Sequence, residues 1–492
     1  MNPQSGAVSF EPPGPGGWKG LADHFPGALT LEYQRLYAET CPPGMASYMS
    51  RYGVLARTLD VGYVHGHLYI TPVPLAGPRE MRRTPPTAAV WLMARLHPEF
   101  RRRTRAARQA LAERPWRATA THWFDTERAQ WIGRNQQLQD VDPSPMSSDR
   151  LIEHLDACRE LVVAGYRRHF ELHGDDLLPI GLLIARCSEW GIQPSIAMRS
   201  LHGAVAPVPA AEPPEWQLVT GYDLDSLSWH ELDTRPFAHA SPDVGAFDLR
   251  PLVPSPHHAE LAQLITDARA AVPLRDDNGA LTGAWPMGLL RRAMLEAGCR
   301  LELHEPAVAV EATVDELTAR LSGGKAPSDA DLTFRQADRI QRSLLQAPPS
   351  LGPEFAIPPL RALPRPLALI GAAQLATADH MLGGSHCAGI GTRPHTGRAV
   401  VVDDPAAAMS IIEPGDVVIT QVTSPSWNSI LALAGALVTT SGGLVSHAAV
   451  IARELDIPAV IGDATAFDRF TTGTVVTVDP DTATVTATTQ TA

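Results

Sequence analysis

The feature that most constrains the fold is a proline-rich stretch at 346–368, which separates two parts of the chain with different sequence patterns. It reads QAPPSLGPEFAIPPLRALPRPLA. Because proline lacks a backbone N–H and disfavours helix at the residue before it, such a stretch is typical of an extended connector. We therefore predict a body at 1–345, a linker at 346–386 and a C-terminal domain at 387–492. A second proline-rich segment at 205–216 indicates a further division within the body.

Before the linker, apolar residues recur at the spacing of an amphipathic helix. Within 149–173 they fall at Leu151, Leu155 and Cys158, which predicts a long helix. The stretch 60–73, DVGYVHGHLYITPV, alternates and is rich in β-branched and aromatic residues, which predicts a β-hairpin. The body is therefore predicted to be mostly α-helical.

After the linker, short segments rich in valine and threonine alternate with short helical segments. Strand-like segments such as GRAVVVDD, GDVVITQV and GTVVTVDP begin or end at glycine or aspartate. Segments such as DPAAAMSII and SHAAVIAREL lie between them and have helical character. The predicted fold class is a multidomain chain, with a mostly α-helical body followed by a C-terminal α/β domain.

Composition argues against several classes of function. The formal net charge of -12 disfavours nucleic acid and anionic membranes as partners, because both would repel the chain. No apolar run approaches the ~20 residues that span a bilayer, and the N-terminus lacks the pattern of a secretory signal. The five cysteines form no CxxC pair. We therefore expect a reduced, cytoplasmic protein.

Lysine is scarce, which bears on nucleotide binding. The two lysines are Lys19 and Lys325, whereas ATP sites commonly place a lysine on the phosphates. The sequence LSGGKAPSD around Lys325 lacks the spacing of a phosphate-binding loop. We expect no autonomous nucleotide-binding domain in this sequence.

The stretch most suggestive of chemistry is TSGGLVSHAAVIARE at 440–454. Ser446 is a good N-cap, and His447 is the first residue of the predicted helix. The positive end of a helix disfavours an imidazolium, so His447 is expected to be neutral and nucleophilic toward a phosphoryl group. The structural alternative is a histidine that only caps or packs. The residues expected to bind phosphate oxygens are Gly442, Gly443, Ser446 and Ala448.

The run from Gly442 to Glu454 resembles the phosphohistidine signature of the PEP-utilising enzymes. This family includes phosphoenolpyruvate synthase, pyruvate phosphate dikinase, rifampin phosphotransferase and phenylphosphate synthase. The resemblance extends over the small C-terminal domain, which corresponds to the family's swivelling domain, although Thr440 stands where an acidic residue is usual. It implies that His447 is phosphorylated, with Thr439 and Arg453 as supporting residues.

The same resemblance implies a division of labour between chains. In the family, an ATP-grasp domain uses ATP and Mg²⁺ to load the histidine, which then passes the phosphate to an acceptor. No ATP-grasp domain fits this sequence, and no tightly bound cofactor is evident. We therefore expect a separate ATP-grasp protein as partner and a small-molecule acceptor with a hydroxyl or enolate oxygen.

The body resembles, more loosely, the acceptor domain of rifampin phosphotransferase. VPLRDDNGAL sits where relatives have Arg-Glu-x-x-Lys near the transferred phosphate. Arg275 and acidic Asp276 match this pattern, whereas Gly279 replaces the lysine. The resemblance implies that Arg275 clamps a phosphoryl group; the structural alternative is a surface salt bridge.

A second family segment corresponds to FAHASPDVGAFDL in the body. His239 and Asp248 are retained there, whereas Ala240 replaces an arginine. The resemblance implies that His239 deprotonates the acceptor hydroxyl; the structural alternative is a packed polar residue.

Two other functions remain open at this point. The scaffold can have been reused for dehydration or isomerisation without phosphate, with His447 as acid or base. Alternatively, the chain is a non-catalytic module that docks an ATP-grasp protein.

Overall fold

The structure is a computed structural model, which describes residues 8–22, 25, 27–79, 86–201, 204, 217–219, 231–233, 247–353, 357–381, 387–391, 393–423, 427–444 and 446–488. His239, the segment 205–216 and the side chain of Asp276 lie outside the described residues. Within those ranges, no helix has the length and apolar character needed to cross a membrane.

Helices make up most of the body, as the apolar spacing predicts. In chain order they are α1 (Leu31–Tyr52), α2 (Thr87–Leu96), α3 (Pro98–Glu113), α4 (Pro115–His122), α5 (Arg128–Gln139), α6 (Ser148–Asp176), α7 (Leu178–Glu189), α8 (Pro194–Arg199), α9 (His258–Asn278), α10 (Trp285–Arg300), α11 (Val314–Leu321), α12 (Asp329–Ser343) and α13 (Arg365–Met381). The strands of this part are β1 (Trp18–Gly20), β2 (Ala56–Val64), β3 (His67–Pro74), β4 (Gln217–Val219), β5 (Glu231–Asp233) and β6 (Ser350–Leu351).

The helix α6 lies at the centre of the body. The predicted apolar stripe is confirmed, because Leu151, Leu155 and Cys158 are fully buried. The helix packs against α1 on one side and against α10 on another. Between α9 and α10 the chain continues as a π-helical segment, Gly279–Ala284, which also packs on α6.

The predicted hairpin is confirmed, since β2 and β3 pair antiparallel. His65 and Gly66 connect them with positive φ angles of 51° and 83°, the conformation of a tight hairpin turn. Strand β1 pairs with β3 on one side and with β6 on the other. Because β6 belongs to the predicted linker, the start of that linker is fixed to the body by this sheet.

The last part of the predicted linker is not extended, because Arg365–Met381 forms helix α13. Its proline, Pro366, stands in the first turn, where the missing N–H costs no hydrogen bond, and none of the next fifteen residues is proline. The helix packs closely on α7: a Cβ on Gly181 would lie 2.2 Å from the carbonyl oxygen of Ala373. This segment therefore forms a helix because it packs against α7, although its nearby prolines suggested an extended connector.

The C-terminal part alternates strands and helices, as predicted. They are β7 (Ala388–Ile390), β8 (His395–Val401), α14 (Pro405–Ile411), β9 (Val417–Thr420), α15 (Asn428–Leu431), β10 (Ala436–Thr439), α16 (His447–Glu454), β11 (Ala459–Ile461), α17 (Ala466–Arg469), β12 (Val475–Asp479) and β13 (Thr484–Ala487).

In the described part of the chain these strands form one sheet in the order β13-β12-β8-β9-β10-β11-β7. The four strands β8, β9, β10 and β11 are parallel, whereas β7, β12 and β13 pair antiparallel at the two edges. Val418, Val438 and Val460 are fully buried, as expected for parallel strands covered on both faces. An ion pair between Arg199 of α8 and Asp481, at 3.2 Å, joins the body to this domain.

Replacing Gly165 with alanine is expected to destabilise the body. A Cβ at this position of α6 would lie 2.1 Å from the carbonyl oxygen of Thr282, so α6 and the π-helical segment must separate. We expect a loss of about 1–3 kcal/mol in the free energy of unfolding, measured by urea denaturation of the full chain.

Gly133→Ala in α5 is the matched control, because nothing lies within 4 Å of the added Cβ. Alanine forms helix better than glycine, so this variant should gain up to ~1 kcal/mol. Equal stability of the two variants would contradict the tight packing described for α6.

Candidate functional site

His447 stands at the carboxyl end of the parallel sheet, after the turn that follows β10. Gly442 in this turn has a φ of 106°, which L side chains rarely adopt. A Cβ there would also lie 3.0 Å from the Ser446 hydroxyl oxygen. Glycine is therefore required for the chain to pass from the strand into the helix at this point.

Ser446 caps α16, and His447 is its first residue, as predicted. The Ser446 backbone is extended, and its hydroxyl oxygen accepts a hydrogen bond from the Ala449 amide at 3.4 Å. The same hydroxyl donates to the carbonyl oxygen of Gly443 at 2.8 Å. The serine hydroxyl is thus used within the protein to hold the turn against the helix.

The first amides of α16 point away from the helix body. His447 and Ala448 occupy positions whose N–H groups have no acceptor within the helix itself. They lie at the positive end of the helix dipole, which favours a neutral imidazole and a bound anion.

The imidazole of His447 is half-buried and in contact with a residue from the neighbouring strand connection. Thr423 Oγ1 lies 3.0 Å from His447 Nδ1, within hydrogen-bond distance. The Thr423 side chain is 4% exposed, so it is held firmly. Since Thr420 and Thr439 are register partners in β9 and β10, the residues that follow these two strands meet at the same edge of the sheet.

A shallow, open hollow lies beside the ring. The residues that line it are Val422, Thr423, Ser441, Gly442, Ser446, His447 and Ala448. Among the lining residues that the structure describes, His447 is the one with an ionisable side chain, so none of these residues carries a negative charge that would repel an anion. The ring therefore faces an accessible site with hydroxyl and amide groups around it.

Two of the four predicted supporting residues, Thr439 and Arg453, hold the backbone around this hollow; the other two, Asp248 and Asp276, belong to the body. Thr439 is fully buried, and its hydroxyl donates to the carbonyl oxygen of Ser441 at 2.7 Å. Arg453 Nη1 donates to the carbonyl oxygen of Leu444 at 2.8 Å, which ties the end of α16 to the turn before it. Both residues therefore stabilise the conformation of the turn between β10 and α16.

The structure does not bring the described body residues to His447. Asp248 is exposed and forms an ion pair with Arg250, whose hydrogen bond lowers the pKa of Asp248 to about 2. Arg275 lies half-buried on α9 in the body. All described residues that line the hollow belong to the C-terminal domain. His239 and the Asp276 side chain fall outside the described residues.

Sequence reasoning did not assign a role to Thr423. The signal available was its position in the chain. Thr423 shortly follows the buried strand β9, and His447 follows β10, the next strand. Neighbouring parallel strands carry their functional side chains at the shared carboxyl edge. Among the residues that the structure describes, no three or more His, Cys, Asp or Glu side chains converge so as to hold a metal ion.

Comparison with known proteins locates this site within a family. The family described as PEP-utilising enzyme, mobile domain, matches residues 412–483. An uncharacterized phosphotransferase, YvkC, of Bacillus subtilis is 42% identical over 103 residues, which cover 21% of this chain and 12% of that protein. The phosphoenolpyruvate synthase of Escherichia coli is 48% identical over 89 residues, or 18% of this chain and 11% of the enzyme.

A phosphoenolpyruvate synthase from Aquifex aeolicus is 42% identical over 89 residues, 18% of this chain and 10% of the enzyme. The chain thus matches about a tenth of the length of these curated relatives. The match lies over the C-terminal part, which contains His447 and the turn before it. Residues 412–483 of this chain therefore match the PEP-utilising enzyme mobile domain.

Proposed function

We propose that the chain is a phosphotransferase component that carries a phosphoryl group on His447 and passes it to a small-molecule acceptor. The observation that carries this proposal is the His447 imidazole at the start of α16, in contact with Thr423 and facing an open hollow. The relatives that share this domain include enzymes named phosphoenolpyruvate synthase and phosphotransferase, which supports phosphoryl transfer as the class of reaction.

The direction of the hydrogen bond between Thr423 and His447 sets which ring nitrogen is nucleophilic. When Nδ1–H donates to Thr423 Oγ1, the lone pair resides on Nε2, and this nitrogen can attack phosphorus. In the other direction, the threonine hydroxyl donates to Nδ1 and Nε2 carries the proton. The first tautomer is the reactive one, so Thr423 serves as a positioning residue whose hydroxyl oxygen accepts a hydrogen bond from Nδ1–H.

The loading step forms an N–P bond at Nε2 and breaks the P–O bond to the donor, whose oxygen leaves with the electron pair. The ring becomes cationic while Nδ1–H remains hydrogen-bonded to Thr423. The negatively charged oxygens of the transferred phosphoryl group are stabilised by the backbone amides at the positive end of α16. In the second step the acceptor oxygen attacks phosphorus, and the electron pair of the N–P bond returns to Nε2.

The donor for loading is proposed to be ATP with Mg²⁺, held by a separate ATP-grasp protein. The described lining of the hollow around His447 offers hydroxyl groups and contains no carboxylate, which suits a phosphoryl group rather than a metal ion. Lys19 lies in strand β1 of the body and Lys325 is exposed beyond α11, so neither of the chain's two lysines lies in the lining of the hollow.

The acceptor is proposed to bind in the helical body and to offer a hydroxyl or enolate oxygen. Arg275 is the described residue proposed to clamp the phosphoryl group, and it lies one helical turn before the π-helical segment. Such segments occur frequently at functional sites. His239 is proposed to remove the proton of the acceptor hydroxyl, with Asp276 and Asp248 as supporting residues.

Incubation of the full chain with ATP, Mg²⁺ and a candidate ATP-grasp protein is expected to add one phosphoryl group. Phosphoramidate, a small chemical donor of phosphate to histidine, is expected to do the same without the partner. Intact mass measurement detects the gain, and His447→Ala should abolish it because the nucleophilic nitrogen is lost.

His304→Ala is the control, since it removes an exposed histidine of the body, outside the matched residues 412–483. Label that persists in His447→Ala, or the absence of label from both donors, would overturn the proposal. Substrate turnover without phosphate, lost in His447→Ala, would favour an acid–base role of the ring instead.

Thr423→Val is expected to slow phosphorylation by phosphoramidate about fivefold. The reason is the loss of one hydrogen bond of about 1 kcal/mol that favours the reactive tautomer. The rate is followed by intact mass against time.

Thr423→Ser retains the hydroxyl and should restore the rate. The ¹⁵N chemical shifts of the His447 ring provide a second readout, because they report which nitrogen carries the proton. A rate and tautomer unchanged in Thr423→Val would show that the threonine only packs against the ring.

A further inference from the structure

The connection between β8 and α14 contains two neighbouring aspartates with separate contacts. Asp404 caps α14, since its Oδ1 accepts a hydrogen bond from the Ala407 amide at 2.6 Å. Asp403 instead reaches the chain that leaves β9. Its Oδ1 accepts from the Gln421 amide at 2.8 Å and from the Thr420 hydroxyl at 3.1 Å. The two carboxylates therefore hold different elements, although they are adjacent in the chain.

The contact made by Asp403 lies where the pairing of β8 with β9 ends. Val401 is the register partner of Ile419, and the Val402 amide donates to the Ile419 carbonyl oxygen at 3.0 Å. In a continued parallel ladder, the Gln421 amide would donate next to the backbone of β8. It donates to the Asp403 carboxylate, which takes the place of a backbone acceptor. The side chain thus extends the strand pairing beyond the last residue of β9.

The same peptide is tied to the end of β10 on its other side. The Gln421 carbonyl oxygen accepts from the Ser441 amide at 3.0 Å. Ser441 lines the hollow beside His447. One row of hydrogen bonds therefore runs from Asp403, through the backbone of Gln421, to the wall of the hollow.

Thr423 stands two residues after this anchored peptide. Two residues of extended chain span at most ~7 Å, so the position of Gln421 restricts where Thr423 can lie. Thr423 Oγ1 is 3.0 Å from His447 Nδ1, and hydrogen bonds to nitrogen weaken beyond about 3.2 Å. A small displacement of the loop is therefore enough to loosen the contact with the ring.

We propose that Asp403 is a positioning residue for His447 and acts through Thr423. This inference rests on the proposed function, in which the Thr423 hydroxyl oxygen accepts a hydrogen bond from Nδ1–H and Nε2 is nucleophilic. Asp403 holds the Gln421 amide, the held loop places Thr423 Oγ1, and Thr423 favours the reactive tautomer. Asp403 is not among the described residues that line the hollow, so it reaches the ring by way of this loop.

The negative charge of Asp403 provides an alternative role with the opposite sign. A carboxylate near the hollow would repel an anionic phosphoryl donor, so its removal would speed phosphorylation. Because Asp403 is exposed, solvent and salt screen this repulsion. Asp403→Asn separates the two roles, since the amide oxygen still accepts hydrogen bonds but carries no charge.

Asp403→Ala is expected to slow phosphorylation of the full chain by phosphoramidate about threefold, because the loop loses both acceptor contacts and the reactive tautomer becomes less populated. Asp403→Asn should retain most of the rate. Asp404→Ala is the matched control, since it removes the neighbouring carboxylate but leaves the Gln421 amide bonded, and its rate should equal that of the unsubstituted chain. Intact mass against time gives the rates, and circular dichroism checks that each variant is folded.

The double variant Asp403→Ala/Thr423→Val tests whether the two residues act along one path. Once the threonine hydroxyl is absent, the loop has no tautomer to favour, so the double variant should be no slower than Thr423→Val alone. Rate losses that multiply would show that Asp403 acts independently of Thr423 and would overturn the inference. So would a rate that rises in both Asp403→Ala and Asp403→Asn, because that result assigns the effect to charge.

The ¹⁵N chemical shifts of the His447 ring test the inference without any phosphoryl transfer. Asp403→Ala should move the balance of tautomers toward the proton on Nε2, whereas Asp404→Ala should leave it unchanged. If rate and tautomer are both unchanged in Asp403→Ala, the inference fails and the proposed function stands. If the unsubstituted chain is never labelled at His447, the proposed function fails, and the ring shifts still decide whether Asp403 positions Thr423.

Discussion

The site depends on the parallel register of β9 and β10. Thr420 and Thr439 pair across these strands and are both fully buried. A shift of one residue would exchange the side chains on the two buried faces of β10, so close packing on both faces keeps this register. The register delivers Thr423 and His447 to the same edge of the sheet, where their polar atoms lie 3.0 Å apart. In the proposed phosphoryl transfer, the direction of that hydrogen bond sets which ring nitrogen is nucleophilic.

The turn between β10 and α16 shows how structural and chemical roles divide among adjacent residues. Ser446 uses its hydroxyl to cap the helix and to hold the carbonyl of Gly443, so it belongs to the framework. Arg453 reaches back to the carbonyl of Leu444 and fixes the same turn from the other end of the helix. Because these side chains are already hydrogen-bonded within the protein, the backbone amides at the start of α16 are the groups proposed to donate hydrogen bonds to phosphate oxygens.

The body shows where local sequence patterns predict structure and where they do not. Long helices such as α6 follow from apolar periodicity, because the pattern recurs over many turns. The hairpin β2–β3 follows from alternation and from a turn that tolerates positive φ. Helix α13 was missed because its neighbouring prolines suggested a connector, whereas its packing on α7 depends on Gly181, nearly two hundred residues earlier.

By itself the sequence determined the order of helices and strands, the serine cap and the histidine at the first position of α16, because these follow from rules that act over a few residues. Tertiary structure alone decided that Thr423 meets the Nδ1 atom of His447, which lies 24 residues later. It also decided that Phe334 in α12 and Leu344 just after it face outward rather than into the core. Periodicity shows that a helix has an apolar face, but burial is a relation between distant segments, and their approach is set by the packing of the whole chain.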